Sequence, residues 1–245
     1  DKLKIKRFQN KVVYFPSCLN QMMGVEKAAP DQTPLVNKML SLLQKAGYEI
    51  VFPEKMDKLC CGTIWESKGM MDIADQKTKE LEMALWKASE QGKYPVLCDQ
   101  SPCLKRMRLK IDSMKLYEPA EFICDFLCDK LVFTPTDETV ALHMTCSMKK
   151  MGLEKKIISL AKKCSTNVVV PDEVGCCGFA GDKGFFNPEL NAYALRKLHP
   201  QIEKSGAKIG YSNSRTCEIG LSTNAGIPYV SIVYLVDQCT KSADT

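Results

Sequence analysis

Short apolar runs alternate with longer amphipathic segments along the whole chain. Residues 12–16 (VVYFP) read as a buried strand, and residues 34–47 carry apolar side chains at helical spacing and end in Gly47. The predicted strands are 12–16, 48–52, 95–98, 116–117, 139–143, 167–170, 208–211 and 228–233. The predicted helices are 34–47, 66–91, a segment beginning at Cys103, about 120–131, about 148–163, about 188–204 with Pro200 kinking or splitting it, a segment beginning at Cys217, and a last helix near the chain end. Strands alternating with helices predict parallel sheets built from right-handed βαβ units.

This pattern occurs twice. Residues 133–136 look like a linker, and after them the order of strands and helices begins again. The segment CCGTIWESKG at 60–69 matches CCGFAGDKG at 176–184 with one gap, and SPC at 101–103 matches RTC at 215–217. We therefore predict an α/β fold with two Rossmann-like lobes related by pseudo-twofold symmetry, residues 1–132 and residues 133–245, each with a parallel sheet and one CCG motif. Ligands of such sheets bind beyond the carboxyl ends of the strands.

The composition is typical of a folded protein with a small net charge. Hydrophobic residues make up 45% of the 245 positions, which argues against disorder, and the net charge is only +5. Basic residues are scattered, so nucleic acid is not expected as a partner. No apolar run approaches the roughly 18–20 residues needed to span a bilayer, and the polar start has no signal-peptide centre. A cytoplasmic location is expected, with peripheral association at the inner face of the membrane as the alternative.

The thirteen cysteines are the strongest chemical signal. Disulfide scaffolds of secreted proteins are usually small and poor in core, whereas this chain is large, helix-rich and has an odd number of cysteines. Metal binding in a reducing compartment is therefore the favoured interpretation. Eight cysteines form two sets, each with a lone cysteine, an adjacent pair followed by glycine, and a second lone cysteine. The first set is Cys18, Cys60, Cys61 and Cys103, and the second set is Cys146, Cys176, Cys177 and Cys217.

Four thiolates suit either a zinc ion or an iron–sulfur cluster. Structural zinc usually takes ligands from close Cys-x-x-Cys pairs, but here the ligands are far apart and two are adjacent. Neighbouring side chains diverge, so an adjacent pair more readily serves different iron atoms of one cluster, and zinc remains the alternative at one or both sites. Gly62 and Gly178 would let the backbone approach the cofactor closely, with a plain turn as the other interpretation.

The helix N-termini that follow the motif loops would favour an anionic cluster. Four basic residues near the motifs would have the same effect, with ordinary surface charge as the other interpretation. They are Lys68, Arg106, Lys183 and Arg215. With only two histidines, His143 and His199, a histidine-rich zinc enzyme or a His-based catalytic triad lacks parts.

The remaining five cysteines carry weaker signals. Cys124 and Cys128, four residues apart on an apolar helix, are expected to be core residues. Cys98 is expected to be either a core residue or an extra ligand. Cys164 and Cys239 have no local signal.

The two cysteine sets resemble the paired cysteine-rich domains of the CCG family, which is named for that tripeptide. This family includes the heterodisulfide reductase B subunit, the glycolate oxidase iron–sulfur subunit and one of the subunits of anaerobic glycerol-3-phosphate dehydrogenase. More narrowly, four segments resemble the C-terminal region of fused FAD-linked, iron–sulfur D-lactate dehydrogenases. They are VVYFPSCLNQMMG, CDQSPC, VGCCGFAGDKGFFNPEL and SNSRTCEIGLSTNAGIPYVSIVYLVDQ.

The resemblance implies an oxidoreductase role in which the eight motif cysteines hold one or two 4Fe-4S clusters. It also implies that FAD-binding and ferredoxin-like domains lie upstream in the full-length chain, which agrees with the missing initiator Met. Electrons would then pass from a flavin that has oxidised D-lactate, or a related D-2-hydroxy acid, towards quinone or another acceptor. The region by itself is not expected to be active.

Both sets depart from the family motif at one position. The first cysteine of the Cys-x-x-Cys pair is replaced by Gln100 in one lobe and by Ser214 in the other. The heterodisulfide reductase type uses five thiolates per site to hold a noncubane cluster, so a thiol–disulfide reductase is only the second hypothesis. A non-enzymatic, zinc-stabilised interaction module is the third.

Overall fold

The computed structural model describes residues 10–243. The strands are β1 (Asn10–Phe15), β2 (Tyr48–Val51), β3 (Val96–Cys98), β4 (Leu116–Tyr117), β5 (Leu131–Phe133), β6 (Thr136–Leu142), β7 (Ser165–Val169), β8 (Ile209–Ser212), β9 (Tyr229–Ser231) and β10 (Thr240–Ser242). The α-helices are α1 (Cys18–Met22), α2 (Leu35–Lys45), α3 (Thr63–Ser67), α4 (Met71–Ala88), α5 (Ser101–Lys110), α6 (Pro119–Phe122), α7 (Cys146–Lys150), α8 (Glu154–Cys164), α9 (Pro188–Ala194), α10 (Leu198–Ser205), α11 (Arg215–Ala225) and α12 (Ile232–Cys239). Within this part of the chain, no helix is both long enough and apolar enough to cross a bilayer.

Two four-stranded parallel sheets form the framework of the molecule. Their strand orders are β2-β1-β3-β4 and β7-β6-β8-β9, which is the same order in two successive halves of the chain. Val13 of β1 pairs with Val51 and Val96 on its two neighbours, and Ala141 of β6 has the equivalent central place in the second sheet. The prediction of an α/β fold with two Rossmann-like lobes is therefore confirmed, while the domain boundary after residue 132 stays a prediction.

The two lobes share one apolar core. The buried side chain of Tyr14 on β1 belongs to the same cluster as Leu142 on β6 and Val233 on α12. Helix α12 of the second half packs against α2 of the first half. A partly buried ion pair joins these helices, because Lys45 Nζ lies 2.6 Å from Asp237 Oδ1. The lobes are therefore packed against each other.

The segment between the lobes is more ordered than a linker. Residues 131–133 form β5, which pairs antiparallel with β10, so that Phe133 lies opposite Thr240. Thr136 already begins β6. The prediction of a linker at 133–136 is therefore wrong, since only two residues separate these strands, and β10 was not predicted.

Three predicted helices are interrupted in the structure. The helix predicted at 66–91 is divided into α3 and α4, with Gly69 at φ +78° between them. The helix predicted at 148–163 is divided into α7 and α8, with Gly152 at φ +70° between them. The helix near 188–204 is split, as predicted, but the break precedes Pro200, which lies in the first turn of α10, where proline is tolerated.

Two further element ends differ from the prediction. The helix predicted at 120–131 continues from α6 as a π-helical segment, Ile123–Leu127, and a 3₁₀ turn, Cys128–Lys130. The strand predicted at 228–233 ends at Ser231, because the Ser231 hydroxyl accepts a hydrogen bond from the Val233 amide and caps α12.

Candidate metal centre

Each cysteine set lies where the central strands of one sheet end and the following helices begin. In the first lobe, Cys18 begins α1 after β1, and Cys103 lies in the first turn of α5 after β3. In the second lobe, Cys146 begins α7 after β6, and Cys217 lies in the first turn of α11 after β8. Because β1 lies beside β3, and β6 beside β8, parallel strand ends bring these residues together.

The lone cysteine at the start of each set is oriented by a helix N-cap. The Ser17 hydroxyl accepts a hydrogen bond from the Asn20 amide at 3.3 Å, directly before α1. The Thr145 hydroxyl accepts one from the Met148 amide at 3.2 Å, directly before α7. Such caps satisfy free amides of the first helical turn, and here they fix the chain on either side of the cysteine.

The four thiols of the first set lie close enough to shift each other's pKa. Cys61 and Cys103 are buried, whereas Cys18 and Cys60 are partly exposed. The interaction with Cys61 raises the pKa of Cys60, and the interaction with Cys103 raises the pKa of Cys61. Binding of a metal group here would therefore release protons.

The thiols of the second set are also close together. Cys177 Sγ lies 3.0 Å from Cys217 Sγ, and Cys176 interacts with both Cys146 and Cys177. Cys146 and Cys176 are exposed, while Cys177 and Cys217 are buried. The interaction with Cys146 lowers the pKa of Cys176 well below its usual range. Each lobe thus gathers the four cysteines that the sequence predicts as one set.

The glycine of each CCG motif brings a backbone amide to a sulfur atom. The Gly62 amide donates to Cys60 Sγ at 3.4 Å, and the Gly178 amide donates to Cys176 Sγ at 3.4 Å. Both glycines have positive φ, +86° and +71°, a conformation that other residues adopt at a cost. A role for either glycine in holding a cofactor stays a prediction.

Polar side chains from neighbouring helices hold the CCG loops from behind. Arg106, which is 3% exposed, donates through Nε to the Cys61 carbonyl at 3.1 Å, and Thr78 donates to the same oxygen at 2.9 Å. In the second lobe, Asn191 donates to the Cys177 carbonyl. Sequence reasoning missed Thr78 and Asn191, because a short polar residue on a helix gives no signal for a loop that lies 14 or 17 residues away.

The basic residues near the motifs have different environments. Arg215 is buried and donates to the Gly24 carbonyl at 2.7 Å, next to the Cys18 loop, while Lys183 is exposed. Lys68 pairs with Asp182 at 2.7 Å and thereby joins the CCG loop of one lobe to that of the other. Only Lys183 therefore fits the simple surface-charge interpretation.

The two departures from the family motif meet at the interface between the lobes. Gln100 Nε2 donates to Ser214 Oγ at 3.0 Å, and Gln100 Oε1 accepts from the Arg215 amide at 3.0 Å. Both side chains are almost completely buried. The Ser101 amide also donates to the Asn213 carbonyl across the lobes, at 3.3 Å. Gln100 and Ser214, which replace the fifth cysteine of the two lobes, are thus hydrogen-bonded to each other.

Asp99 is a further polar residue that shapes the first site. Its carboxylate accepts from the Tyr14 hydroxyl at 2.7 Å and from the Ser17 amide at 2.8 Å, so it anchors the turn before Cys18. Burial raises the pKa of Asp99. Its position at the end of β3, in CDQSPC, is the signal that could have identified it.

Cys98 and His143 are buried beside the sites. Cys98 is 1% exposed and packs in the same apolar cluster as Cys61 and Cys103. Burial lowers the pKa of His143 to about 4, and its Nδ1 lies 3.3 Å from the Ser212 hydroxyl. Cys98 therefore lies in the core, as one of its two interpretations expected.

The donor set of each site fits an iron–sulfur cluster. Each lobe brings four thiols to one end of its sheet, and the cysteine ligands of a cluster bind different iron atoms and spread around a group of several atoms. Among residues 10–243, no three His, Cys, Asp or Glu side chains are arranged so that they would hold one metal ion.

The fold and the two thiol sets define a two-lobed, cysteine-rich α/β protein. The family model described as CCG, cysteine-rich domain, matches residues 12–108 and 140–222. These residues make up more than half of the chain, and the chain belongs to this family.

Two curated relatives carry the same printed name. The chain is 23% identical over 185 residues to Lactate utilization protein A of Oceanobacillus iheyensis, which covers 69% of this chain and 74% of that protein. It is 23% identical over 198 residues to Lactate utilization protein A of Exiguobacterium sp., which covers 73% of this chain and 78% of that protein.

Solved structures show a weaker likeness. The aspartate racemase of Picrophilus torridus matches with a TM-score of 0.40 and 9% identity over 96% of both chains. An Asp/Glu racemase from Yersinia pestis matches with a TM-score of 0.40 and 10% identity, over 93% of this chain and 96% of that chain. Similarity at this level says nothing about the function of this chain.

Proposed function

We propose that this chain is an iron–sulfur electron-transfer protein in the oxidation of lactate or a related 2-hydroxy acid. The observation that carries the proposal is the gathering of two equivalent four-thiol sets, one per lobe, on either side of a shared interface. Membership of the cysteine-rich family and the printed name of the two relatives support the same role.

In this proposal each set holds one four-iron cluster, which accepts and releases single electrons. The buried thiols Cys61 and Cys177 would be the inner ligands, and the amides of Gly62 and Gly178 would stabilise negative charge on the outer sulfurs. Helices α5 and α11 present their N-terminal ends to the two sets, which favours an anionic group.

Two contacts join the sites across the lobes. Lys68 and Asp182 join the two CCG loops at the surface, and Gln100 and Ser214 join the two strand ends in the interior. An electron that crosses by way of Gln100 and Ser214 would pass through buried, hydrogen-bonded protein that needs little rearrangement.

At the finer level, we propose that the chain acts with FAD-binding and ferredoxin-like domains of a D-lactate dehydrogenase. A flavin in such a domain would oxidise the hydroxy acid, and this chain would pass the electrons towards quinone or another acceptor. A heterodisulfide reductase is less favoured, because Gln100 and Ser214 bind each other and offer no fifth thiolate.

The decisive test is anaerobic reconstitution followed by iron and sulfide analysis. Two four-iron clusters predict about eight iron and eight sulfide per chain, with the brown colour of iron–sulfur proteins. The double variant Cys60→Ser/Cys61→Ser should lose half of the iron, and Cys176→Ser/Cys177→Ser should lose the other half. Cys98→Ala is the matched control, because it removes a buried cysteine that lies beside the first set.

A colourless protein with stoichiometric zinc would contradict the proposed function. A cluster that survives both double variants would contradict the ligand assignment. Reoxidation of the bound clusters by a quinone analogue, after reduction, tests the electron-transfer step separately.

A further inference from the structure

Four of the five cysteines outside the two CCG sets lie together in the fold. They come from the π-helical segment, its C-terminal end, and the last residues of α8 and α12, and they are Cys124, Cys128, Cys164 and Cys239. All four belong to the core that the lobes share, whereas the buried cysteines of the CCG sets belong to two other apolar clusters. The group is therefore separate from the candidate metal centre.

The four thiols fall into two pairs. Cys124 and Cys128 lie four residues apart along one irregular helical segment, while Cys164 and Cys239 end the packed helices α8 and α12. The members of each pair shift each other's pKa, and the Cys124 thiol donates to the Lys156 carbonyl at 3.5 Å. Contacts of this pairwise kind suit two-electron dithiol chemistry. Among the described residues, no three of these side chains are placed to hold a single metal ion.

The two pairs differ in their access to solvent. Cys164 is 0% exposed and Cys239 is 7% exposed, whereas Cys124 and Cys128 are both partly exposed. Buried structural cysteines are generally inert, while reactive cysteines are partly exposed and lie in electropositive surroundings. The exposed pair is therefore the candidate for chemistry, and the buried pair provides an internal comparison.

The surroundings of Cys128 favour its thiolate. The interaction with Cys124 and the nearby Lys163 ammonium lower the pKa of Cys128 to about 7, against the effects of burial, Asp129 and Asp125. Lys163 lies over the Phe133 ring, 5.6 Å from its centroid. The interaction with Cys128, together with burial, raises the pKa of Cys124. Cys128 is therefore the thiol of the pair that reacts first.

We propose that Cys128 and Cys124 form a redox-active dithiol that peroxides oxidise to a disulfide. The Cys128 thiolate attacks one oxygen of hydrogen peroxide, which breaks the O–O bond, forms a sulfenic acid and releases hydroxide. The Cys124 thiol then attacks the Cys128 sulfur, which forms the S–S bond and releases water. Overall, two thiols and one peroxide give one disulfide and two waters.

The backbone at this turn must move for the disulfide to close. Regular helices hold positions four apart at about 5–6 Å between Cβ atoms, beyond the roughly 3.5–4.5 Å of a disulfide. Here the chain changes from π-helical to 3₁₀ geometry at Cys128 and enters β5 three residues later. An irregular helix end can adjust more easily than a helix interior. Oxidation should therefore speed amide exchange in residues 128–133.

Peptide mapping of the oxidised chain tests this proposal. Trypsin cleaves after Lys115 and Lys130 and releases one peptide that contains Cys124 and Cys128 and no other cysteine. After brief treatment of the anaerobic protein with hydrogen peroxide and trapping with iodoacetamide, this peptide should lack two hydrogens and carry no label. At pH 7 its oxidation should be about tenfold faster than that of Cys164, because Cys128 is partly exposed whereas Cys164 is completely buried and its pKa is raised.

Single variants separate the two roles. Cys124→Ser should leave a Cys128 sulfenic acid that a cyclic 1,3-diketone traps, and Cys128→Ser should slow the oxidation of Cys124 to the rate of the buried pair. Equal rates at Cys128 and Cys164 would overturn the proposal. Labelling of Cys128 that requires prior treatment with a metal chelator would also overturn it, since the pair would then bind a metal ion.

Discussion

The glycines of the CCG motifs allow a prediction with a matched control in each lobe. At Gly62, φ is +86°, and an added Cβ would lie 2.3 Å from the Ala74 carbonyl oxygen and 2.8 Å from Arg106 Nε. At Gly69, φ is +78°, but an added Cβ would meet nothing within 4 Å. Alanine at either position would have to adopt the same unfavourable positive φ. Only at Gly62 would its Cβ also collide with neighbouring atoms.

The expected loss of stability follows from the cost of the positive φ and the cost of the steric collision. A left-handed backbone costs an L-residue about 1–2 kcal/mol, and the smaller unfolded-state entropy of alanine offsets part of this cost equally at both sites. Gly69→Ala should therefore destabilise the chain by about 1 kcal/mol or less. Overpacking of a tight site adds about 1–3 kcal/mol. Gly62→Ala should thus cost about 1–4 kcal/mol, and about 1–3 kcal/mol more than Gly69→Ala, because the Ala74 carbonyl is part of α4 and cannot move alone.

The assay is equilibrium unfolding in urea for both variants and the wild type. The second lobe repeats the comparison, since Gly178 at φ +71° is crowded by Leu190 O at 2.7 Å, while Gly181 at φ +78° has open space. In each lobe the crowded variant should also lose the proposed cluster of that lobe, because the displaced glycine amide donates to a cysteine sulfur. Equal destabilisation by Gly62→Ala and Gly69→Ala would refute the packing argument.

Three further predictions concern the lobe interface, pH and the ligand count. Gln100→Ala should lower the free energy of unfolding by about 2–4 kcal/mol, since it leaves the buried Ser214 hydroxyl and a backbone amide without this partner; an unchanged urea midpoint would contradict this. Burial raises the pKa of Glu118 from 4.5 to about 7, so the folded chain binds the extra proton and stability should fall as pH rises from 4.5 through 7. Unfolding measured at several pH values should show that the free energy of unfolding depends less steeply on pH in Glu118→Gln than in the wild type. An equal slope in both proteins would disprove the role of Glu118. Cys98→Ala should keep the full iron content of the reconstituted chain, and loss of iron would make Cys98 a ligand.

The repeated sequence pattern was sufficient for the fold class and for the grouping of the cysteines. Each lone cysteine follows a short apolar strand, and parallel strand ends in an α/β sheet meet at one edge. The register of β1 against β3, and of β6 against β8, then brings Cys18 to Cys103 and Cys146 to Cys217. The position of each lone cysteine after its strand was therefore enough to predict which thiols form one set.

The ends of elements were harder to predict. The helix at 66–91 was predicted as continuous because apolar spacing persists across Gly69, and the positive φ of that glycine is a property of the folded turn. The short strand β10 has no partner near it in sequence, since it pairs with β5 more than 100 residues earlier. Pairings at that separation leave no periodic signal.

The sequence by itself determined the α/β class, the two repeats and the two sets of four cysteines, because these depend on local periodicity and spacing. Only the tertiary structure decided that Gln100 and Ser214 bind each other and that Arg106 and Asn191 support the CCG loops. These contacts join residues of different elements, so local periodicity gives no sign of them. They arise because folding buries polar groups, which must then find partners wherever the packed elements bring them together.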